Sequence, residues 1–162
     1  MIQVVIDSIR VSLMSSHRVV LLREMDSERQ LPIWIGPFET DAIVVRLQEV
    51  ETARPLTHDL LTTVIQELGG TVSHVLVDAL KDDYFTAKIL IDQDGKMLEI
   101  DARPSDAIAL AVRVQAPVFV SEQILDEVGI LPEEEIISTE DIEIPDEELD
   151  VFRDFLDTLD LG

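Results

Sequence analysis

The chain has 162 residues, enough for one domain of ordinary size with a real hydrophobic core. Apolar residues make up 46% and the mean hydropathy is +0.19, which excludes a chain disordered throughout. No cysteine is present, so disulfide scaffolds, thiolate zinc sites and cysteine nucleophiles are excluded.

Twelve basic residues against 34 acidic ones give a net charge of −22. The excess is uneven. Residues 122–162 hold 16 acidic side chains and one basic one, Arg153, for a net of −15, while residues 1–121 hold 18 and 11, for −7. A uniformly acidic surface would repel nucleic acid and anionic membranes, but the body of this chain is only mildly acidic. No apolar run approaches the ~20 residues that span a bilayer, and the N-terminus has no signal-peptide pattern. The expectation is a cytoplasmic chain with no membrane partner.

Ile2, Val4 and Ile6 alternate on one parity, and Ile9, Val11 and Leu13 on the other. That switch predicts a strand with a bulge near Asp7-Ser8. Val19 to Met25 reads as a second strand, Asp26 to Arg29 as a turn, and Leu31 to Ile35 as a third strand. After Gly36-Pro37, the apolar positions Ala42, Ile43, Leu47 and Val50 predict a helix from Glu39 to Val50. Thr57 suits an N-cap for a helix from His58 to Leu68, with Leu60, Leu61, Val64, Ile65 and Leu68 as its stripe. Gly69-Gly70 ends it.

Val72 to Leu80 and Tyr84 to Ile91 read as strands, and Asp94-Gly95 is a hairpin turn into a return strand from Met97 to Asp101. Ser105 suits an N-cap for a helix from Asp106 to Gln115. Val118 to Val120 is a short strand, and Ser121 opens a short helix ending at Gly129. Asp41-Ala-Ile43 matches Asp106-Ala-Ile108, each after about three strands. The fold class is therefore α+β. A tandem βββα duplication is expected to form a mixed, largely antiparallel sheet or open barrel with packed helices. This domain is expected over residues 1–129. Residues 130–162 read as an acidic linker and a C-terminal amphipathic helix with Leu149, Phe152, Leu156 and Leu159, suited to a protein partner or a homo-oligomer.

Two segments carry candidate chemistry, Arg54-Pro-Leu-Thr-His-Asp59 and Arg103-Pro-Ser-Asp106. In each, an arginine precedes a helix N-terminus, whose unpaired N–H groups favour anions. Arg54, Thr57, Arg103 and Ser105 are thus candidate phosphate-binding residues, the guanidinium adding bidentate donors. The same acids and arginines also suit a purely structural corner in which they pair with one another. Asp59 and Asp106 are candidate catalytic carboxylates. Glu39 and Asp101 are candidate ligands for Mg²⁺ or Mn²⁺, which take carboxylate oxygens. His58, between Thr57 and Asp59, is a candidate general base. His74 reads as structural, and His17 has no assigned role. There is no HExxH, Walker loop or strand-bound GxGxxG, so zinc-protease, triphosphatase and dinucleotide readings lose support. Seven aromatics without interleaved Lys or Arg do not read as a stacking platform.

The runs Leu31-Pro-Ile-Trp-Ile-Gly36, Glu39, Asp41-Ala-Ile43, Arg54-Pro-Leu-Thr-His-Asp-Leu60 and Asp101-Ala-Arg-Pro-Ser-Asp-Ala-Ile-Ala-Leu110 resemble the bifunctional nuclease domain family. The resemblance covers roughly residues 1–128. It implies an α+β domain and hydrolysis of phosphodiester bonds in both DNA and RNA. It brings no residue roles, so those above rest on the residues alone. The competing expectation is a non-enzymatic regulatory or protein-binding module with a small anionic ligand, since −22 is a poor footprint for binding polyanions.

Overall fold

The computed structural model describes residues 1–11 and 17–132. Strands β1 (Ile2–Val11), β2 (Arg18–Glu24) and β3 (Gln30–Ile35) form one antiparallel meander. Strands β4 (Gly70–Lys81), β5 (Tyr84–Gln93) and β6 (Lys96–Ala102) form a second. Between them lies β7 (Val118–Val120), antiparallel to β1 and parallel to β4. The sheet order is β3-β2-β1-β7-β4-β5-β6, a mixed and mostly antiparallel open sheet. The parity switch in β1 is a register shift between Ile6 and Ser8. The Asp94-Gly95 turn has φ of 55° and 78°, the positive angles such a two-residue hairpin requires.

Helices α1 (Pro37–Leu47), α2 (Thr57–Glu67) and α3 (Pro104–Val114) follow the meanders, and α4 (Glu122–Val128) follows β7. Helix α3 packs against α1, α2, β4 and β5. Its buried Ala107, Ala109 and Ala111 let it sit close, and Ile108 and Leu110 fill the core beside Ile43, Val75, Val77 and Ile89. Each such buried aliphatic side chain contributes about 1.5–3 kcal/mol.

The helices begin earlier than the hydroxyl pattern predicts. Leu56 is the N-cap of α2 and Arg103 that of α3, so Thr57 and Ser105 lie inside the first turns and are not caps. Proline decides the start of α3, because Pro104 suits the first helical position. At α2 the Asp59 carboxylate, at the third helical position, reaches back and accepts the Leu56 N–H at 2.8 Å, the half of a capping box that needs no cap hydroxyl. Helix α1 likewise starts at Pro37 and ends at Leu47, where Gln48 caps it and Glu49 turns to a φ of 53°.

The stripe on α2 divides into two rows. Leu61 and Ile65 pack on the core, while Leu60, Val64 and Leu68 are exposed. Beyond Gly129 the backbone continues into the fold, since Ile130 and Gln30 exchange two backbone hydrogen bonds of 2.7 and 2.8 Å. The acidic helix expected after Pro145 lies outside the described residues.

Candidate functional site

Three helices bring their first turns to one place. A cleft of about 560 Å³ is lined by Phe38, Glu39 and Asp41 of α1, by Leu56, Thr57 and His58 at the start of α2, and by Arg103 and Asp106 at the start of α3. The two proline-marked corners therefore meet, although they lie far apart in the chain. Helix N-termini carry partial positive charge, so three of them offset part of the acidic surroundings.

A continuous polar chain crosses the cleft. Glu39 Oε1 lies 2.9 Å from an Arg103 terminal nitrogen. Arg103 Nε donates to Asp106 Oδ2 at 2.8 Å, and His58 Nε2 lies 3.0 Å from Asp106 Oδ1. Glu39 and Asp106 occupy the third helical position of their helices, as Asp59 does in α2. Burial pushes the Asp106 carboxyl up, but the hydrogen bonds from Arg103 and His58 and their charges outweigh it and hold the group below its ordinary value. An ionised carboxylate only accepts, which assigns the proton of that bond to His58 Nε2, so Nδ1 is the nitrogen left to exchange a proton. His58 is 8% exposed, while the Arg103 side chain is 66% exposed. The guanidinium is held on one side by two carboxylates and open to solvent on the other.

Asp59 belongs to a neighbouring groove with Arg46, Glu49 and Arg113. Its Oδ1 accepts from Arg113 Nε at 2.7 Å. Arg113, whose side chain is 4% exposed, also donates to the carbonyls of Ala42 (3.0 Å) and Ala109 (2.7 Å). One buried guanidinium thus ties α1, α2 and α3 together. Burial raises the Asp59 carboxyl, and the Leu56 N–H and Arg113 together overcome this and hold it below its ordinary value. Sequence reasoning passed over Arg113, whose one signal is a basic residue in the last turn of an alanine-rich helix.

The structure leaves other expected residues outside the cleft. Arg54 is exposed two positions before the α2 N-cap and does not line it. Ser105 is buried and faces a second groove beyond Arg103. Asp101 is exposed on β6, opposite Lys88 of β5. Asp41, by contrast, lines the cleft but is paired with Arg18 at 3.0 Å. Among the described residues, no three His, Asp or Glu side chains gather closely enough to hold a metal ion. Glu39 is engaged by Arg103 and Asp101 lies apart, so these two do not by themselves make a cation site. His74 is half-buried, edge-on to Phe119 at 5.4 Å, as a structural residue should be. No helix among the described residues is long and apolar enough to cross a membrane.

The family model of the bifunctional nuclease domain matches residues 20–133, more than half of the chain. The chain belongs to the bifunctional nuclease domain family. It is similar to an uncharacterized protein of Mycobacterium tuberculosis, 38% identical over 151 residues, which is 93% of this chain and 90% of that protein. It is also similar to bifunctional nuclease 2 of Oryza sativa subsp. japonica, 29% identical over 115 residues. Bifunctional nuclease 1 of Arabidopsis thaliana is 27% identical over 107 residues. These matches cover 69% and 64% of this chain but only 35% and 33% of the plant proteins. Within this bifunctional nuclease domain, the matched span contains β3, all three helices at the cleft, and every residue of the Glu39–Arg103–Asp106–His58 chain.

Proposed function

We propose that this domain hydrolyses phosphodiester bonds in DNA and RNA at the cleft where α1, α2 and α3 begin. The observation that carries the reading is the bond between His58 and Asp106 beside the open face of Arg103. The phosphate lies against the Arg103 guanidinium and the helix N-termini, which favour the charge of the scissile group. Asp106 fixes the tautomer and direction of His58, whose Nδ1 takes the proton from the attacking oxygen. In both polymers that oxygen is water's: the new P–O bond forms as the P–O bond to the leaving sugar oxygen breaks, and that oxygen takes its proton from solvent. A base that only removes a proton does not discriminate between the sugars, which suits an enzyme for both polymers. Mg²⁺ or Mn²⁺ commonly assists such reactions by stabilising charge on the phosphate.

The test is cleavage of DNA and RNA oligonucleotides by purified protein with Mg²⁺, with Mn²⁺ and with a chelator. His58→Ala and Arg103→Ala are each expected to abolish cleavage while circular dichroism stays native. Full activity in both folded variants would reject the site.

A second reading, association with another copy of the chain, rests on one observation. Leu56, Leu60, Val64 and Leu68 form an exposed row along α2. The Asp59 charge on this helix is matched by Arg113, leaving Glu67 as its other carboxylate. Two chains of net charge −22 meet with least repulsion on such a face. Sedimentation of the wild type against Leu60→Asp tests this. A wild type that stays monomeric at high concentration ends it.

A further inference from the structure

Seven aromatic residues in 162 look too few and too scattered for a base-stacking surface. The fold changes their meaning. Among the described residues three aromatic side chains are exposed: Trp34 at 65%, Tyr84 at 76% and Phe38 at 83%. All three border grooves lined by Arg103. Trp34, at the end of β3, and Tyr84, at the start of β5, line a groove of about 320 Å³ that also holds Arg103 and Ser105. Phe38, in the first turn of α1, lines the cleft on the other side of Arg103 with His58. The remaining described aromatics, Phe85 and Phe119, are partly buried.

An exposed ring is costly in water unless something covers it, and scattered single instances need no explanation. Here the exposed rings are instead gathered around one solvent-facing guanidinium. We propose that Trp34 and Tyr84 on one side of Arg103, and Phe38 on the other, stack unpaired bases of a single-stranded nucleic acid whose backbone crosses Arg103. This deepens the phosphodiesterase reading and rests on it, since it names the form of substrate that the cleft accepts. Each stacked base contributes about 1–3 kcal/mol and depends little on base identity, because every base has a π-face.

Charge argues for the same substrate. Duplex DNA carries one negative charge per about 1.7 Å of axis, twice the density of a single strand. A chain of net charge −22 therefore repels a duplex more, and a duplex also hides its base faces from the rings. Stacking supplies affinity that this protein's electrostatics withhold. Ser105, whose hydroxyl reads in the sequence as a phosphate ligand, lies in the floor of the Trp34–Tyr84 groove.

Trp34 is the single tryptophan of the chain, so intrinsic fluorescence reports directly on one wall of this groove. Wild type and His58→Ala are titrated in parallel with a mixed-sequence single-stranded DNA oligonucleotide, its RNA counterpart, its duplex, and an abasic strand of equal length. Single strands of both sugars are expected to quench and saturate. Duplex and abasic strand should bind at least about tenfold more weakly, because neither offers free bases to the rings. Tyr84→Ala and Phe38→Ala should each weaken single-strand binding by about fivefold to a hundredfold, the range for losing one stacked base. Equal binding of duplex and single strand, or of abasic and normal strand, would overturn the proposal. Cleavage that persists with those equal affinities leaves the nuclease reading standing without the stacking. Base-dependent quenching without cleavage does the reverse.

Discussion

His58 Nε2 and Asp106 Oδ1, 48 positions apart in the chain, sit 3.0 Å apart and join the first turns of α2 and α3. The bond fixes which ring nitrogen of the buried imidazole faces Asp106. Asp106→Asn keeps the size of the side chain and removes the charge and half of its accepting capacity. Cleavage is expected to fall by about a hundredfold or more, the usual contribution of a positioned base. Steady-state cleavage of a single-stranded oligonucleotide checks this, with far-UV circular dichroism confirming the fold.

Arg113 predicts a stability effect rather than a catalytic one. Replacing it with Met leaves the Asp59 carboxylate and the Ala42 carbonyl without their partner. Removing one member of a buried pair costs about 3–5 kcal/mol, and the part exposure of Asp59 places this case near the lower end. Urea unfolding should give a loss of about 3 kcal/mol for Arg113→Met. A change within about 0.5 kcal/mol, typical of surface positions, would show that the three-helix tie is not structural.

The two lowered carboxyls set a pH dependence. Asp59 and Asp106 both titrate below the ordinary 3.8 when folded, so between those values the unfolded chain binds more protons. Stability rises with pH across that window. What these groups contribute is complete above 3.8 and is lost as the pH falls through their lowered folded values. Asp59→Asn should therefore cost more at neutral pH than in acid. Urea midpoints of wild type and variant are expected to converge as the pH drops below 3.8.

Gly36 makes room for the Glu39 side chain. A Cβ at this position would run into Glu39 Oε2, although the backbone φ of −74° suits any residue. The carboxylate is the far end of a flexible chain and yields easily. Gly36→Ala should swing Glu39 away from Arg103 and change stability by about 1 kcal/mol, because the guanidinium of this pair is open to solvent. Freed on that side, Arg103 should bind phosphate better, read as a lower KM for oligonucleotide at low salt. An unchanged KM would mean that Glu39 does not compete with substrate.

Local features were legible in the chain because their causes are local. The bulge near Asp7-Ser8 follows from parity, and the Asp94-Gly95 turn from backbone angles that few residue pairs tolerate. The site was legible only in part, and the two Arg-Pro pairs explain why. Pro104 is the first residue of α3, so Arg103 is the N-cap and its side chain folds onto Asp106. Pro55 precedes the α2 N-cap, which leaves Arg54 outside the first turn. The same dipeptide therefore gives one arginine at the cleft and one beyond it. The tie through Arg113 and the gathering of Trp34, Phe38 and Tyr84 depend on tertiary contacts, which no spacing along the chain encodes.

The three residues of β7 join two halves that are otherwise separate meanders, pairing Val120 with Ile2 and Val118 with Val75. This strand is also made last of the seven. At ordinary rates of translation, on the order of ten seconds pass between the emergence of the first strand and the seventh. Throughout that interval the inner margin of β1 is open to any neighbouring nascent chain, and that of β4 for the shorter time after it is made. Until Val118–Val120 is made, both of these margins lack the strand that covers them in the finished sheet.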